Sequence, residues 1–273
     1  MISIILPTYK EAVYLRRAIE SVMRQSYQEW ELLVVDDGLV PAAKNIVQEY
    51  IQKDSRVQCI TTTGMTGIQR SLNRGLVVAM GDYIARIDDD DEWVDVDKLK
   101  KQIAFLEENP EYVLVGTNGS IVTEKGVVLA VYVLPQTDAE IRSRILSKNC
   151  FLHPSIVARK DAIEHAGNYG ESRSVQHIED YALWLALGTE GKYANLPFNG
   201  VALTVHTGSL TFQHRLSQAR RMRSIIGQYK QEYPRFIFSY ILLSIRVIGF
   251  AILNIIPIPT KVLYVLQKVY KEY

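Results

Sequence analysis

Along residues 2 to 87, short continuous apolar runs alternate with longer stretches in which apolar residues return every three or four positions. Ile2 to Leu6 is a run of the first kind, closed by Pro7, and Glu11 to Gln25 is of the second, with Val13, Leu15, Ala18, Ile19, Val22 and Met23 at helical spacing. The same unit recurs. Glu31 to Val35 runs into Asp36, Asp37 and Gly38, and Ala42 to Ile51 places Ile46, Val47, Tyr50 and Ile51 on one helical face. Val57 to Ile60, a helical stretch from Thr66 to Ala79, and Tyr83 to Ile87 complete the series. Continuous apolar strands separated by amphipathic helices predict a mostly parallel sheet covered on both faces.

In such sheets ligands bind beyond the carboxyl ends of the strands. Thr8 and Tyr9, Asp36 and Asp37, and Asp88 to Asp91 each follow a strand, so the fold brings them to one edge. After a helix from Asp97 to Glu108 the pattern changes. Val113 to Val115, Ser120 to Val122 and Val127 to Val133 are short β-like runs punctuated by Gly116, Gly119 and Gly126, which predicts antiparallel hairpins and a mixed second half. From Phe212 onward the chain reads as helical, with Pro234, Pro257 and Pro259 as breaks.

Composition narrows the class. The chain has 273 residues, 48% apolar and 22% charged, which excludes disordered and fibrous proteins and suits one large domain with an appendage. A formal net charge of +1 argues against a dedicated nucleic-acid binder. Cys59 and Cys150 lack the C-x-x-C spacing of a metal or redox pair and imply no disulfide framework. Met1 to Pro7 has neither the positive start nor the apolar length of a signal peptide and reads as a first strand, with a cytoplasmic location expected.

Four consecutive aspartates, Asp88 to Asp91, repel one another and rarely pack inside. A hard divalent cation removes the difficulty, since Mg²⁺ is commonly held by one or two carboxylates together with substrate phosphate oxygens. In an extended segment Asp88 and Asp90 point one way and Asp89 the other. The structural alternative is a solvated acidic turn capping the helix that starts near Asp97.

The runs Ile4 to Glu11 (IILPTYKE), Leu33 to Gly38 (LVVDDG) and Gly81 to Asp91 (GDYIARIDDDD) resemble those of glycosyltransferase family 2. So do Gly67 to Gly75, Asn149 to Val157, Gly167 to Glu171, Glu179 to Trp184, and Val205 to Ser209, in the expected order. The resemblance covers about residues 1 to 210 and implies an inverting, nucleotide-sugar-dependent enzyme of the GT-A fold. That fold is α/β, with a Rossmann-like, mostly parallel central sheet, helices on both faces and a small antiparallel acceptor-side sheet. The implied division is a domain over 1–210, with a nucleotide-sugar half at 1–95 and an acceptor half at 96–210, followed by a helical tail at 211–273.

Site residues carry over with the motifs. The resemblance places Pro7, Thr8, Tyr9 and Glu11 along the base and ribose of a donor, a UDP-sugar, with Asp37 on the base edge and Asp36 supporting the loop. Gly67 and Asn73 fall near the donor. In the D-x-D motif Asp88 matches the ribose contact and Asp90 the Mn²⁺ or Mg²⁺ ligand, with Asp91 behind them. Asp89, grouped with the donor contacts, stands where the family often has a small residue. His206 matches a late histidine that reaches the metal or diphosphate, although Leu203 and Thr204 replace the Tyr-Arg that often precedes it. A lone histidine also has structural uses. Glu179-Asp180 matches the E-D motif, in which Asp180 would take the proton of the acceptor hydroxyl as that oxygen attacks in one displacement, while Glu179 orients a loop or the acceptor. The alternative for this pair is an acidic helix start. His153 would either face the acceptor or pack.

The tail changes the charge picture. From His206 onward there are ten Lys and Arg against two acids, a net of +8, which leaves 21 bases and 28 acids, a net of −7, in the first 205 residues. Within the tail, Phe236 to Ile256 carries fourteen Phe, Ile, Leu or Val and one charge, Arg246. This length of helix reaches across about 30 Å of hydrocarbon, with Arg246 costing about 2.5 to 3.5 kcal/mol at its middle. Three readings stand: a helix in the membrane interface, a spanning helix, and a helix packed on protein. The first makes the protein peripheral on the inner face of the cell membrane, with a lipid-linked surface glycan as acceptor. Two other functions compete. A nucleotidyltransferase also clusters carboxylates around Mg²⁺, but no basic phosphate-gripping signature lies beside the first strand. A catalytically idle binding partner has no reason to keep Asp88, Asp90 and Asp180 together.

Overall fold

A computed structural model describes residues 1–10, 12–61, 64–205 and 214–255. The first part of the chain runs β1 (Ile2–Lys10), α1 (Leu15–Met23), β2 (Trp30–Leu39), α2 (Pro41–Lys53), β3 (Val57–Thr61), α3 (Ile68–Val78), β4 (Tyr83–Arg86), β5 (Glu92–Trp93) and α4 (Lys98–Glu108). The second half continues with β6 (Tyr112–Thr123), β7 (Val128–Tyr132), α5 (Asp138–Arg144), β8 (Val157–Arg159), α6 (Lys160–His165), α7 (Glu179–Glu190) and β9 (Lys192–Val205). Two tail helices, α8 (Arg215–Ile225) and α9 (Phe236–Ile255), follow. Local sequence supports several starts. Pro41 opens α2, where its missing N–H costs nothing. Thr137 and Glu140 form a reciprocal capping box on α5.

The strands form one sheet in the order β3-β2-β1-β4-β8-β6-β9-β5, with β7 paired to β6. Pairings β1–β2, β1–β4, β2–β3 and β6–β9 are parallel. The antiparallel pairs are β4–β8, β6–β8, β6–β7 and β5–β9, and they continue the parallel part. Alternate residues of β1 feed two cores, as the pleat requires. Ile4 and Leu6 pack in one core with Leu15, Ile19, Val47, Leu99, Ile103 and Leu106, whereas Ile5 belongs to the other, with Leu72, Leu76, Trp184 and Leu187.

The second half departs from its expected pattern at one place. Val113 to Val115 and Ser120 to Val122 are parts of the single strand β6, and Gly116 and Gly119 lie inside it. They mark close packing. A Cβ on Gly116 would run into Asn195 Oδ1, and one on Gly119 would meet Leu152 Cδ1 at 2.5 Å. Gly126, with φ +78°, does make the hairpin turn into β7.

The tail shares the core of the rest. Ile225, Ile226, Tyr233 and Leu243 are buried in the cluster that holds Trp184 and Leu185 of α7. The Tyr233 hydroxyl donates to Leu185 O at 2.8 Å. On α9, Leu243 and Ser239 face inward, and Arg246 donates to Ser147 O. Ile237, Phe238, Ile241, Ile245, Ile248 and Ile252 are each at least half exposed, and on a helix they share an arc of about 100°. The helix is therefore packed on its own protein along one side and apolar toward solvent along the other. Among the described residues no helix is long and apolar enough to cross a membrane. Residues 256–273, part of the expected tail, lie outside the described residues.

Gly116→Ala tests the close packing of β6. The added methyl overpacks the contact with Asn195 and is expected to destabilise by about 1 to 3 kcal/mol, read as a lower urea midpoint with an unchanged slope.

Candidate active site

The carboxyl ends of β1, β2 and β4 lie side by side, with Thr8 in register with Asp36 and Ile5 with Arg86. Asp36 shapes the turn after β2. Its Oδ1 accepts the Gly38 and Leu39 N–H groups at 2.9 and 2.7 Å, and Lys44 lies 3.3 Å from Oδ2. Asp37 is tied to the start of α3: Oδ1 accepts the Thr66 N–H and hydroxyl at 2.6 and 2.9 Å, and Oδ2 accepts the Gly67 N–H at 2.8 Å. Gly67 has φ +85°, a left-handed backbone that disfavours any side chain. Two residues assigned to the donor from sequence are thus bonded to each other.

Pro7 and Thr8 are buried, while Tyr9 is exposed and its hydroxyl meets Met65 Sδ at 3.1 Å. Asn73 is hydrogen-bonded to protein. Its amide donates to Tyr169 O at 2.9 Å and to Glu171 Oε1 at 3.0 Å, and its oxygen accepts the Tyr169 N–H at 3.0 Å. It clasps α3 to the 169–171 segment. Glu11 and His206 lie outside the described residues.

The aspartate run forms a turn, not an extended segment. The Asp91 N–H donates to Asp88 O at 3.2 Å, which folds the run back and adds Asp91 to the group formed by Asp88 and Asp90. Carboxylate oxygens of these three residues lie within 4.8 Å of one another. Asp89 points elsewhere and accepts from the Thr8 hydroxyl at 2.7 Å. Burial, with the charges of Asp90 and Asp88, pushes the Asp89 carboxyl up to about 7. Burial and the Asp88 and Asp90 charges also hold Asp91 well above the ordinary carboxylate range. Hard oxygen donors crowded into a partly buried turn fit a divalent cation, whose charge favours the ionised carboxylates against burial and mutual repulsion.

Glu179 and Asp180 open α7, so the acidic helix start and the site location coincide. Asn149 donates to Asp180 Oδ2 at 2.8 Å. Burial raises the Asp180 carboxyl, opposed by the Tyr181 N–H, Arg86 and Asn149. Burial, then the Asp180 charge, pushes Glu179 up to about 7, and its Oε2 has no hydrogen-bond partner among the described residues. His153 packs: Nε2 lies 2.8 Å from the Tyr169 hydroxyl, its ring meets Trp184 edge-on, and burial holds it well below the usual histidine range.

Arg86 was not singled out from the sequence. It is 5% exposed, and its fork donates to Asp88 at 2.9 and 2.5 Å. Its charge also acts on Glu179 and Asp180. The available signal was its position two residues before Asp88 on an extended strand end, which puts both side chains on one side. Arg17 was missed as well. From α1 it donates to Asp90 O at 2.7 Å and to the Thr204 hydroxyl, joining the aspartate turn to the end of β9.

Residues 3–166 match the family model described as glycosyl transferase family 2. The chain is 29% identical to WfgD of Escherichia coli, a UDP-Glc:α-D-GlcNAc-diphosphoundecaprenol β-1,3-glucosyltransferase, over 233 residues that make up 85% of this chain and 84% of WfgD. Among solved structures, Staphylococcus aureus TarS 1–349 in complex with UDP-GlcNAc superposes with a TM-score of 0.68 at 20% identity, over 89% of this chain and 70% of that one. The Pyrobaculum calidifontis mannosyltransferase PcManGT, in complex with GDP-Man and Mn²⁺, superposes with a TM-score of 0.65 at 14% identity, over 100% of this chain and 80% of that one. The shared fold is GT-A.

Glu179 makes stability depend on pH. Its carboxyl is raised in the folded chain, so its contribution is fully present below the unfolded value and is lost as pH rises through about 7. Without divalent ions the chain is expected to lose about 2 kcal/mol from this group between about pH 5 and pH 8. Glu179→Gln should remove that loss, measured by urea denaturation at the two pH values.

Proposed function

Because the chain belongs to glycosyl transferase family 2 and is a glycosyltransferase, we propose that it moves a sugar from a UDP-sugar to a hydroxyl of a lipid-linked surface glycan, inverting the anomeric centre in one displacement. The observation that carries this reading is the meeting of the Asp88, Asp90 and Asp91 carboxylates with Glu179 and Asp180 around Arg86 at one sheet edge. Asp180 is the base. The Asn149 amide fixes one carboxylate oxygen, and the other takes the acceptor proton as the hydroxyl oxygen attacks. Arg86 favours the ionised form of Asp180, which a base requires.

The donor lies along Thr8, Tyr9 and Asp37, with Asp88 and Asp89 beside the ribose. Asp90 and Asp91 would hold Mn²⁺ or Mg²⁺, with His206 as a further ligand. Such an ion supplies positive charge opposite the donor diphosphate. WfgD, by its name, uses UDP-Glc and a diphosphoundecaprenol-linked acceptor, and this supports the UDP-sugar and the lipid-linked acceptor here. The tail agrees with a lipid-linked acceptor, since it joins the isoleucine arc of α9 to the exposed cations Arg220, Lys230 and Arg235. An apolar strip flanked by cations suits an anionic lipid surface, with the helix lying in its plane.

Asp180→Asn is expected to abolish transfer and leave UDP binding unchanged, whereas Asp90→Ala weakens Mn²⁺-dependent UDP binding in titration calorimetry. Normal transfer by Asp180→Asn would remove the base assignment. For the lipid surface, Ile241→Ser with Ile245→Ser in the full chain should reduce cosedimentation with phosphatidylglycerol vesicles several-fold. Unchanged cosedimentation would count against it.

A further inference from the structure

The two tail helices reach two segments that lead to Asp180. From α9, Arg246 donates to the carbonyl of Ser147, two residues before Asn149, whose amide holds Asp180 Oδ2 at 2.8 Å. From α8, Arg221 donates to Gln176 O at 2.6 Å and Gln218 to His177 O at 3.1 Å. His177 has φ +64°, a left-handed backbone uncommon for a residue with a side chain, and its ring stacks on His214 at 4.0 Å. Ile178 follows and α7 begins at Glu179. The approach to the base is therefore held in a costly conformation by side chains from the tail.

We propose that Arg246 and Arg221 are positioning residues for the transfer: by fixing the 147–149 turn and the 176–178 approach, the tail sets the orientation of Asp180. This rests on Asp180 being the base. The geometry explains why the one charge of α9 faces the protein, opposite the isoleucine arc. A guanidinium reaching a main-chain carbonyl fixes backbone, and a reacting group displaced by about 1 Å can lose about 100-fold in rate.

The test uses the full-length chain with Arg246→Met, Arg221→Met and the pair, Arg246→Lys as the conservative variant, and Asn149→Ala as a benchmark. Hydrogen exchange of peptides covering 147–150 and 176–182 is read beside UDP affinity, the melting temperature, and kcat and KM with UDP-glucose and a GlcNAc-diphospho-lipid acceptor. The expected result for the pair is exchange faster by about 10-fold in those two segments, and kcat lower by about 10- to 100-fold. UDP affinity and the donor KM stay unchanged, and Arg246→Lys restores most of the rate. Unchanged exchange or unchanged kcat would overturn the proposal, as would faster exchange throughout the chain with a lower melting temperature. Transfer by Asp180→Asn would overturn the base assignment instead, and the exchange experiment would still report on the brace.

Discussion

Carboxylates gathered at one edge of a sheet repel one another, and the site is arranged around that repulsion. Asp88, Asp90, Asp91, Glu179 and Asp180 come from two separate parts of the chain, and Arg86 is the buried cation that acts on both groups. Its fork on Asp88 is the kind of bidentate pair in which geometry and charge reinforce each other. Removing a buried partner of this kind leaves an uncompensated charge, so Arg86 is bound to the acids as firmly as they are to it.

The same constraint gives each acid a different task. Asp36 and Asp37 both accept backbone N–H groups and shape the loops after β2 and before α3. Asp89 turns to Thr8, leaving Asp88, Asp90 and Asp91 as the convergent set. Neighbouring positions of one chemical type thus take different partners according to which N–H and O–H groups lie within reach.

The parallel sheet, its helices and the edge where Thr8, Asp36 and Asp88 meet were legible in the sequence, because continuous apolar runs and helical spacing are local signals. The acidic run Asp88 to Asp91 stood out as a local pattern too, whereas Glu179 and Asp180 were singled out only through the family resemblance. What the pattern did not carry was tertiary. Gly116 and Gly119 read as turn residues, yet they lie in a strand, where Asn195 and Leu152 from distant segments leave no room for a Cβ. An extended run would have paired Asp88 with Asp90 alone, and one Asp91-to-Asp88 hydrogen bond adds Asp91 to them. Asn73 gave no sign of the partner its amide finds, the Tyr169 backbone 96 residues away. Arg246 read as a penalty within an apolar helix, and its contact with Ser147 turns it into an attachment point.

The core shared by α7 and the tail has a consequence for biogenesis. Leu243 and Tyr233 pack in the same cluster as Trp184 and Leu185, so the helix that begins with Glu179 and Asp180 keeps an uncovered apolar flank until those later residues emerge from the ribosome. Contacts this far apart in the chain form late, after the loops between them have closed. A nascent chain can complete its sheet and bring Asp88, Asp90 and Asp91 together while α7 still lacks its cover, which orders the assembly of the site: the aspartate turn first, the start of α7 last.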